Sequence, residues 1–173
     1  MNTTIFNFFF SFSTNPFIAW SALFISNVLI YVFILVAILI PIIKNRDYIY
    51  GAVNLCGAAG SWIVAYILKH IFTIPRPFVT LHLVPLFMET GFSFPSSHVT
   101  VISAIATIVW SIDHKLGIAF FIFTVLVALS RMIIGVHYPI DVIAGFVLGI
   151  LIGLFSIWFY NVTGQFAFLR KYI

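Results

Sequence analysis

The chain has 173 residues, 63% of them hydrophobic and only 7% charged, whereas a soluble domain carries about a quarter of its residues as charges. Eight Lys and Arg against four Asp and Glu give a net charge of +4, scattered along the chain with none of the basic clustering that nucleic acid requires. Composition excludes a soluble domain and a nucleic-acid binder, and predicts one all-α, polytopic membrane helix bundle over residues 1–173.

In chain order, Met1 to Trp20 has no Lys or Arg and no small-residue cleavage site, so a cleaved signal peptide is not expected there. Phe8, Phe9, Phe10 and Phe12 suit an interfacial helix instead. Pro16–Ile43 and Tyr48–Phe72 are apolar runs at or beyond the roughly 20 residues of a spanning helix. Within the second run, the single cysteine, Cys56, is expected to be a buried small hydrophobe, and Gly57 and Ser61 to mark a close helix contact. The connection Thr73–Pro95 carries Pro75, Pro77, Pro85 and Pro95, so it cannot be one regular helix. It is the one substantial stretch expected outside the membrane.

Ser96–Ile112 would be about 25 Å long at 1.5 Å per residue, short of a hydrocarbon core of about 30 Å, so its start is expected at or below the membrane surface. Ser96 and Ser97 are placed to cap this helix. Leu116–Val136 and Pro139–Tyr160 bring the expected total to about five spans, with six as the alternative. In the last span Gly145, Gly149 and Gly153 recur every fourth residue, the spacing of a close helix contact. Asp141 lies four residues earlier on the same face and is expected to point into the bundle.

Alternation of the spans puts Lys44, Arg46, Lys115, Arg170 and Lys171 on one side and Lys69, Arg76 and Arg131 on the other. The positive-inside rule makes the larger group cytoplasmic. The minority side also collects His98, His137 and Asp141 at neighbouring helix ends. Three cations, two imidazoles and one carboxylate are a poor donor set for a metal and a good one for an anion such as phosphate. A transporter would place its charges near the midplane, often within repeated halves, and neither feature is present.

These residues form three motifs. Lys69 and Arg76-Pro77 read K-x6-R-P, Pro95-Ser96-Ser97-His98 read P-S-S-H, and Ser130-Arg131, His137 and Asp141 read S-R-x5-H-x3-D. Together they resemble the signature of the type 2 phosphatidic acid phosphatase superfamily, which includes membrane lipid phosphatases and soluble acid phosphatases and shares its site with vanadium haloperoxidases. Ser97 stands where the family most often has glycine. The resemblance implies a lipid phosphatase without metal or cofactor, acting from the non-cytoplasmic face of a cell membrane on undecaprenyl diphosphate, phosphatidylglycerol phosphate, phosphatidic acid or lipid A 1-phosphate. A lipid phosphotransferase using the same site is the alternative, and a non-catalytic lipid-binding protein is disfavoured because His137 and Asp141 are both present.

The resemblance further implies that His137 attacks phosphorus with Asp141 as its support, and that His98 exchanges protons; spacing alone leaves open which imidazole attacks. Lys69, Arg76 and Arg131 suit a phosphate clamp, with Ser96 and Ser97 lending the N-terminus of their helix. His70, His82 and His114 match no motif and are expected at the surface, His114 in a short loop. Glu89, in the outer loop, is expected to be a solvated loop carboxylate, with discrimination among substrates as the alternative.

Overall fold

The computed structural model describes residues 2–45 and 48–170, with the side chains of residues 44, 45, 48, 49 and 163–170 outside that description. Arg46 and Lys171, both counted toward the cytoplasmic side, lie outside the described residues, as do the side chains of Lys44 and Arg170. Every regular element among the described residues is helical. Helix α1 (Asn2–Ser11) turns into α2 (Pro16–Phe24), where Asn15 Oδ1 accepts from the amides of Phe17 and Ile18. A π-helical turn at Ile25–Leu29 joins α2 to α3 (Ile30–Asn45). After α4 (Tyr48–Phe72) comes an irregular segment interrupted by a single turn, α5 (Pro77–Thr80). Helices α6 (Ser97–Ile112), α7 (His114–Ile133) and α8 (Pro139–Arg170) complete the bundle.

Pro16–Ile43, Tyr50–Thr80, His114–Ile133 and Pro139–Val162 are long and apolar enough to cross a membrane, and Ser97–Ile112 is a shorter apolar helix. Helix α6 is the axis of the fold. Every residue from Val99 to Val109 is buried, because α4, α7 and α8 all pack against it.

The closest seam is between α6 and α8. A Cβ on Gly145 would lie 2.8 Å from Ser96 O, one on Gly149 2.3 Å from Thr100 O, and one on Gly153 2.8 Å from Ala104 O. Glycine at each fourth position lets the α8 backbone lie directly on α6, which compensates for the lack of a hydrophobic driving force between helices in lipid. Ser103 Oγ then donates to Phe146 O at 2.7 Å across the seam. Its consequence for the site is direct, since Asp141 lies one helical turn before Gly145 and its carbonyl accepts from Ser96 N at 3.0 Å.

A second tie joins α3 to α4. Pro41 lies within α3 and has no N–H to offer Ala37 O, four residues earlier. The buried Asn54 Nδ2 donates to that carbonyl at 3.1 Å and repairs the gap.

Three expectations need correction. Cys56 is exposed and lines an apolar groove between α4 and α8. The inward face of α4 is made instead by Asn54, Ala58, Ser61 and Ala65, since in lipid an apolar residue faces outward at no cost. The span placed at Leu116–Val136 is α7, His114–Ile133. His114 therefore opens a helix rather than lying in a loop, with Asp113 Oδ1 accepting from the amides of Lys115 and Leu116. At the other end Gly135, with φ of +89°, closes α7 early: its amide donates to Met132 O and that of Val136 to Arg131 O, a Schellman ending.

The seam gives a direct test. Gly149→Ala should cost about 1–3 kcal/mol through overpacking against backbone atoms, read as a lower unfolding temperature in detergent. Gly60→Ala, where a Cβ meets nothing within 4 Å, should be neutral or should stabilise α4 by up to about 1 kcal/mol.

Candidate active site

The proline-rich connection folds across one end of the bundle. Ser93 N donates to Ile74 O at 2.8 Å and Leu86 N to Ile134 O at 3.0 Å, so the connection is tied both to itself and to the end of α7. Beneath it is a cavity of about 220 Å³ lined by Lys69, Arg76, Ser97, His98 and His137 from the three motifs, together with Trp62, Glu89 and Thr90. An adjoining cavity of about 180 Å³ shares Trp62, Ser97 and His98 and is otherwise walled by Ile30, Tyr31, Ile34 and Val101. A charged chamber thus opens beside an apolar one.

The lysine comes from the last turn of α4, and Lys69 Nζ donates to Phe92 O at 2.8 Å and Ser93 O at 3.0 Å. Arg76, which precedes α5, donates from Nε to Gly91 O at 3.2 Å, from Nη2 to Thr90 O at 3.1 Å and from Nη1 to Val136 O at 3.2 Å. The guanidinium therefore joins the connection to the residue before His137. Arg131, in the last turn of α7, is fully buried.

His137 follows directly from the Schellman ending and is fully buried with Asp141. Its Nδ1 lies 3.5 Å from Asp141 Oδ2, and its Nε2 lies 3.5 Å from Arg76 Nη1, a group lining the cavity. The ring is thus oriented with one nitrogen toward the carboxylate and the other toward the cavity. At 3.5 Å the carboxylate contact is longer than a hydrogen bond, and Nδ1 has no hydrogen-bonded partner among the described residues. Asp141 Oδ2 is held by Tyr138 N at 2.7 Å, which fixes the carboxylate at the first turn of α8.

Burial, reinforced by the charges of Arg131, Lys69 and Arg76, pushes His137 well below the ordinary histidine value. The imidazole is accordingly neutral near pH 7, the state a nucleophile requires.

Three expected site residues, Ser96, Arg131 and Asp141, do not line the cavity. Ser96 is the N-cap residue of α6 but makes no side-chain capping bond, and its buried Oγ has no partner among the described residues. Arg131 meets Glu89 instead. Glu89 Oε1 bonds Arg131 Nη2, and Oε2 lies 2.8 Å from Arg76 Nη1. The expectation of a solvated carboxylate is therefore wrong. The folded connection carries Glu89 over both guanidinium groups and leaves its side chain only 15% exposed. Burial pushes its pKa up, but the charges of Arg131 and Arg76 outweigh that and hold it below the ordinary carboxylate value. Two buried arginines at neighbouring motif positions, with few acids in the chain to pair them, were the available signal for this role.

His70 and His82 are exposed, as expected. His114 is exposed too and packs 5.2 Å from Trp110. Among the described residues no group of three or more His, Cys, Asp or Glu is placed to hold a metal.

The model of the PAP2 superfamily matches residues 49–164, a stretch that contains the whole cluster. The chain belongs to the PAP2 superfamily. Undecaprenyl-diphosphatase BcrC of Bacillus subtilis is 33% identical over 127 residues, covering 72% of this chain and 64% of that protein. Undecaprenyl-diphosphatase of Sulfolobus acidocaldarius is 34% identical over 106 residues, covering 56% of this chain and 50% of that protein. The chain thus spans about half to two thirds of the length of these curated relatives. Among solved structures, LpxE of Aquifex aeolicus superposes with a TM-score of 0.72 at 25% identity, over 90% of this chain and 94% of that one. Its long apolar helices make the chain an integral membrane protein.

The state of His137 can be read directly. In protein labelled with 15N-histidine, the His137 ring nitrogens should keep the shifts of a neutral imidazole as the pH falls through 6.5, the ordinary histidine value. Protonation of His137 at or above that pH would contradict its assignment as a ready nucleophile.

Proposed function

We propose that the protein hydrolyses a phosphomonoester or diphosphate carried by a membrane lipid, through a phosphohistidine on His137, without metal or cofactor. The observation that carries this reading is the orientation of His137, with Nδ1 toward Asp141 and Nε2 toward a cavity lined by Lys69, Arg76 and His98. The apolar chamber beside that cavity supports a substrate with a charged head and a hydrocarbon chain. The names of the relatives make undecaprenyl diphosphate the first substrate to test, with phosphatidylglycerol phosphate, phosphatidic acid and lipid A 1-phosphate beside it.

In the first step His137 Nε2 forms a bond to phosphorus and the bond from phosphorus to the leaving oxygen breaks. That oxygen is the lipid oxygen of a phosphomonoester or the bridging oxygen of a diphosphate, which departs on the lipid monophosphate. His98 gives its proton to that oxygen, and Asp141 stabilises the charge gained by the His137 ring. Lys69, Arg76 and Arg131 stabilise the equatorial oxygens during transfer. In the second step His98 takes a proton from water, which attacks phosphorus and releases inorganic phosphate and free His137. Three fixed cations stand where a metal-dependent phosphatase would place its ion.

Rapid quench with labelled substrate, in the presence of EDTA, should trap an acid-labile phosphoprotein in the wild type and in His98→Ala, and none in His137→Ala. His98→Ala should slow an alkyl phosphate by about 10²–10⁴-fold and nitrophenyl phosphate or a diphosphate much less, because a good leaving group needs little protonation. Label on His98, or activity abolished by EDTA and restored by one metal, would overturn the mechanism.

The site faces away from the cytoplasm in this reading, because alternation of the spans along the sequence assigns Lys44, Arg46, Lys115, Arg170 and Lys171 to the other side. A single cysteine at exposed Thr80, in a Cys56→Ser background, should react with an impermeant reagent added outside. Reaction only from the cytoplasmic side would invert the topology.

A further inference from the structure

Glu89 occupies the ground on which a phosphoryl group would meet the two arginines. One carboxylate oxygen lies 2.8 Å from Arg76 Nη1 and the other bonds Arg131 Nη2, so a single anion bridges both guanidinium groups. Glu89 lines the cavity and Arg131 does not. The carboxylate therefore stands between the cavity and a cation that the phosphate clamp needs. Two oxygens also leave that cation incompletely used. Among the described residues Arg131 Nε and Nη1 are buried without a partner, as is Ser96 Oγ, whereas a phosphoryl group brings three oxygens to such donors.

The segment that carries Glu89 is built at a turn. Arg76 holds it through Glu89 itself and through the Thr90 and Gly91 carbonyls, and Lys69 through the Phe92 and Ser93 carbonyls that follow. Gly91 has a φ of +75°, a backbone state that glycine adopts freely. On the other side Met88 is 72% exposed and Phe87 46% exposed, so the tip carrying Glu89 is not held in the core.

We propose that Glu89 is a specificity-determining internal anion: it fills the arginine clamp of the empty enzyme, and only a phosphoryl group with two or more negative charges displaces it. This rests on the lipid phosphatase reading given above. A terminal phosphate or diphosphate outcompetes one carboxylate by charge and by the number of its oxygens. The phosphodiester of an ordinary phospholipid carries one negative charge and has only two free oxygens, so it gains nothing over Glu89. The enzyme thereby ignores the lipids that surround it in large excess. The same competition weakens the hold on inorganic phosphate and speeds its release.

The test compares wild type with Glu89→Gln in detergent, using inorganic phosphate in calorimetry and phosphatidylglycerol as a competitor of turnover. If Glu89 fills the clamp in about nine molecules of ten, Glu89→Gln should bind phosphate about tenfold more tightly. Turnover by the variant should also become sensitive to phosphatidylglycerol, to which the wild type is indifferent. Unchanged phosphate affinity together with unchanged indifference would overturn the proposal and leave the hydrolase reading intact. Absence of lipid phosphate hydrolysis by the wild type would instead remove the reading on which it rests.

Should Glu89→Gln fail to fold, the native carboxylate can be followed. An environment-sensitive dye on Met88→Cys, in a Cys56→Ser background, should change its emission as phosphate is added. No change at a phosphate concentration that halves turnover would show that Glu89 stays in place, and would sink the idea.

Discussion

Three cations converge at one end of an apolar helix bundle, and the arrangement of the site follows from how their charge is held. Lys69, Arg76 and Arg131 are drawn from three different helix ends, and burial of such charges is costly unless each finds a partner. The chain meets that requirement with few acids. Glu89 bridges the two arginines, while backbone carbonyls of the connection take up Lys69 and the remaining donors of Arg76. The proline-rich connection is therefore more than a link between spans. Its carbonyls and its one carboxylate are counter-charges, and they hold it over the cavity.

That charge cluster needs a scaffold that does not yield, and the glycine seam of α8 on α6 supplies it. Contact at the backbone leaves no side chains to adjust between Ser96 and Asp141, so the start of α6 and the start of α8 are fixed to each other by the Ser96 N to Asp141 O bond. The Schellman ending of α7 supplies the third fixed point, reversing the chain between Arg131 and His137. Helix α1 adds support from above. Phe6, fully buried, packs 5.5 Å from the Tyr138 ring, and Asn2 Oδ1 accepts from Ile140 N at 3.2 Å, so the N-terminal helix braces the turn that carries His137.

Within this frame the two imidazoles differ in kind. His137 is fully buried, between a carboxylate and a guanidinium, which suits a neutral nucleophile whose later positive charge is stabilised by Asp141. His98 sits in the first turn of α6 and lines both the charged and the apolar chambers. The proton exchange proposed for His98 fits that junction between a charged and an apolar chamber.

The sequence alone was enough for the all-helical membrane architecture, because apolar runs of spanning length have few other stable forms, and for the cluster of Lys69, Arg76, His98, Arg131, His137 and Asp141, because charges stand out against such a background. The four-residue spacing of Gly145, Gly149 and Gly153 also revealed the inward face of α8 before any contact was known. Local pattern did not reveal the outward position of Cys56, since helices in lipid are apolar on every side and hydrophobicity no longer distinguishes core from surface. Nor did it reveal Glu89. Its partners lie 13 and 42 positions away, and only the folding of the connection across the bundle end turned a carboxylate expected in solvent into the counter-ion of two buried arginines.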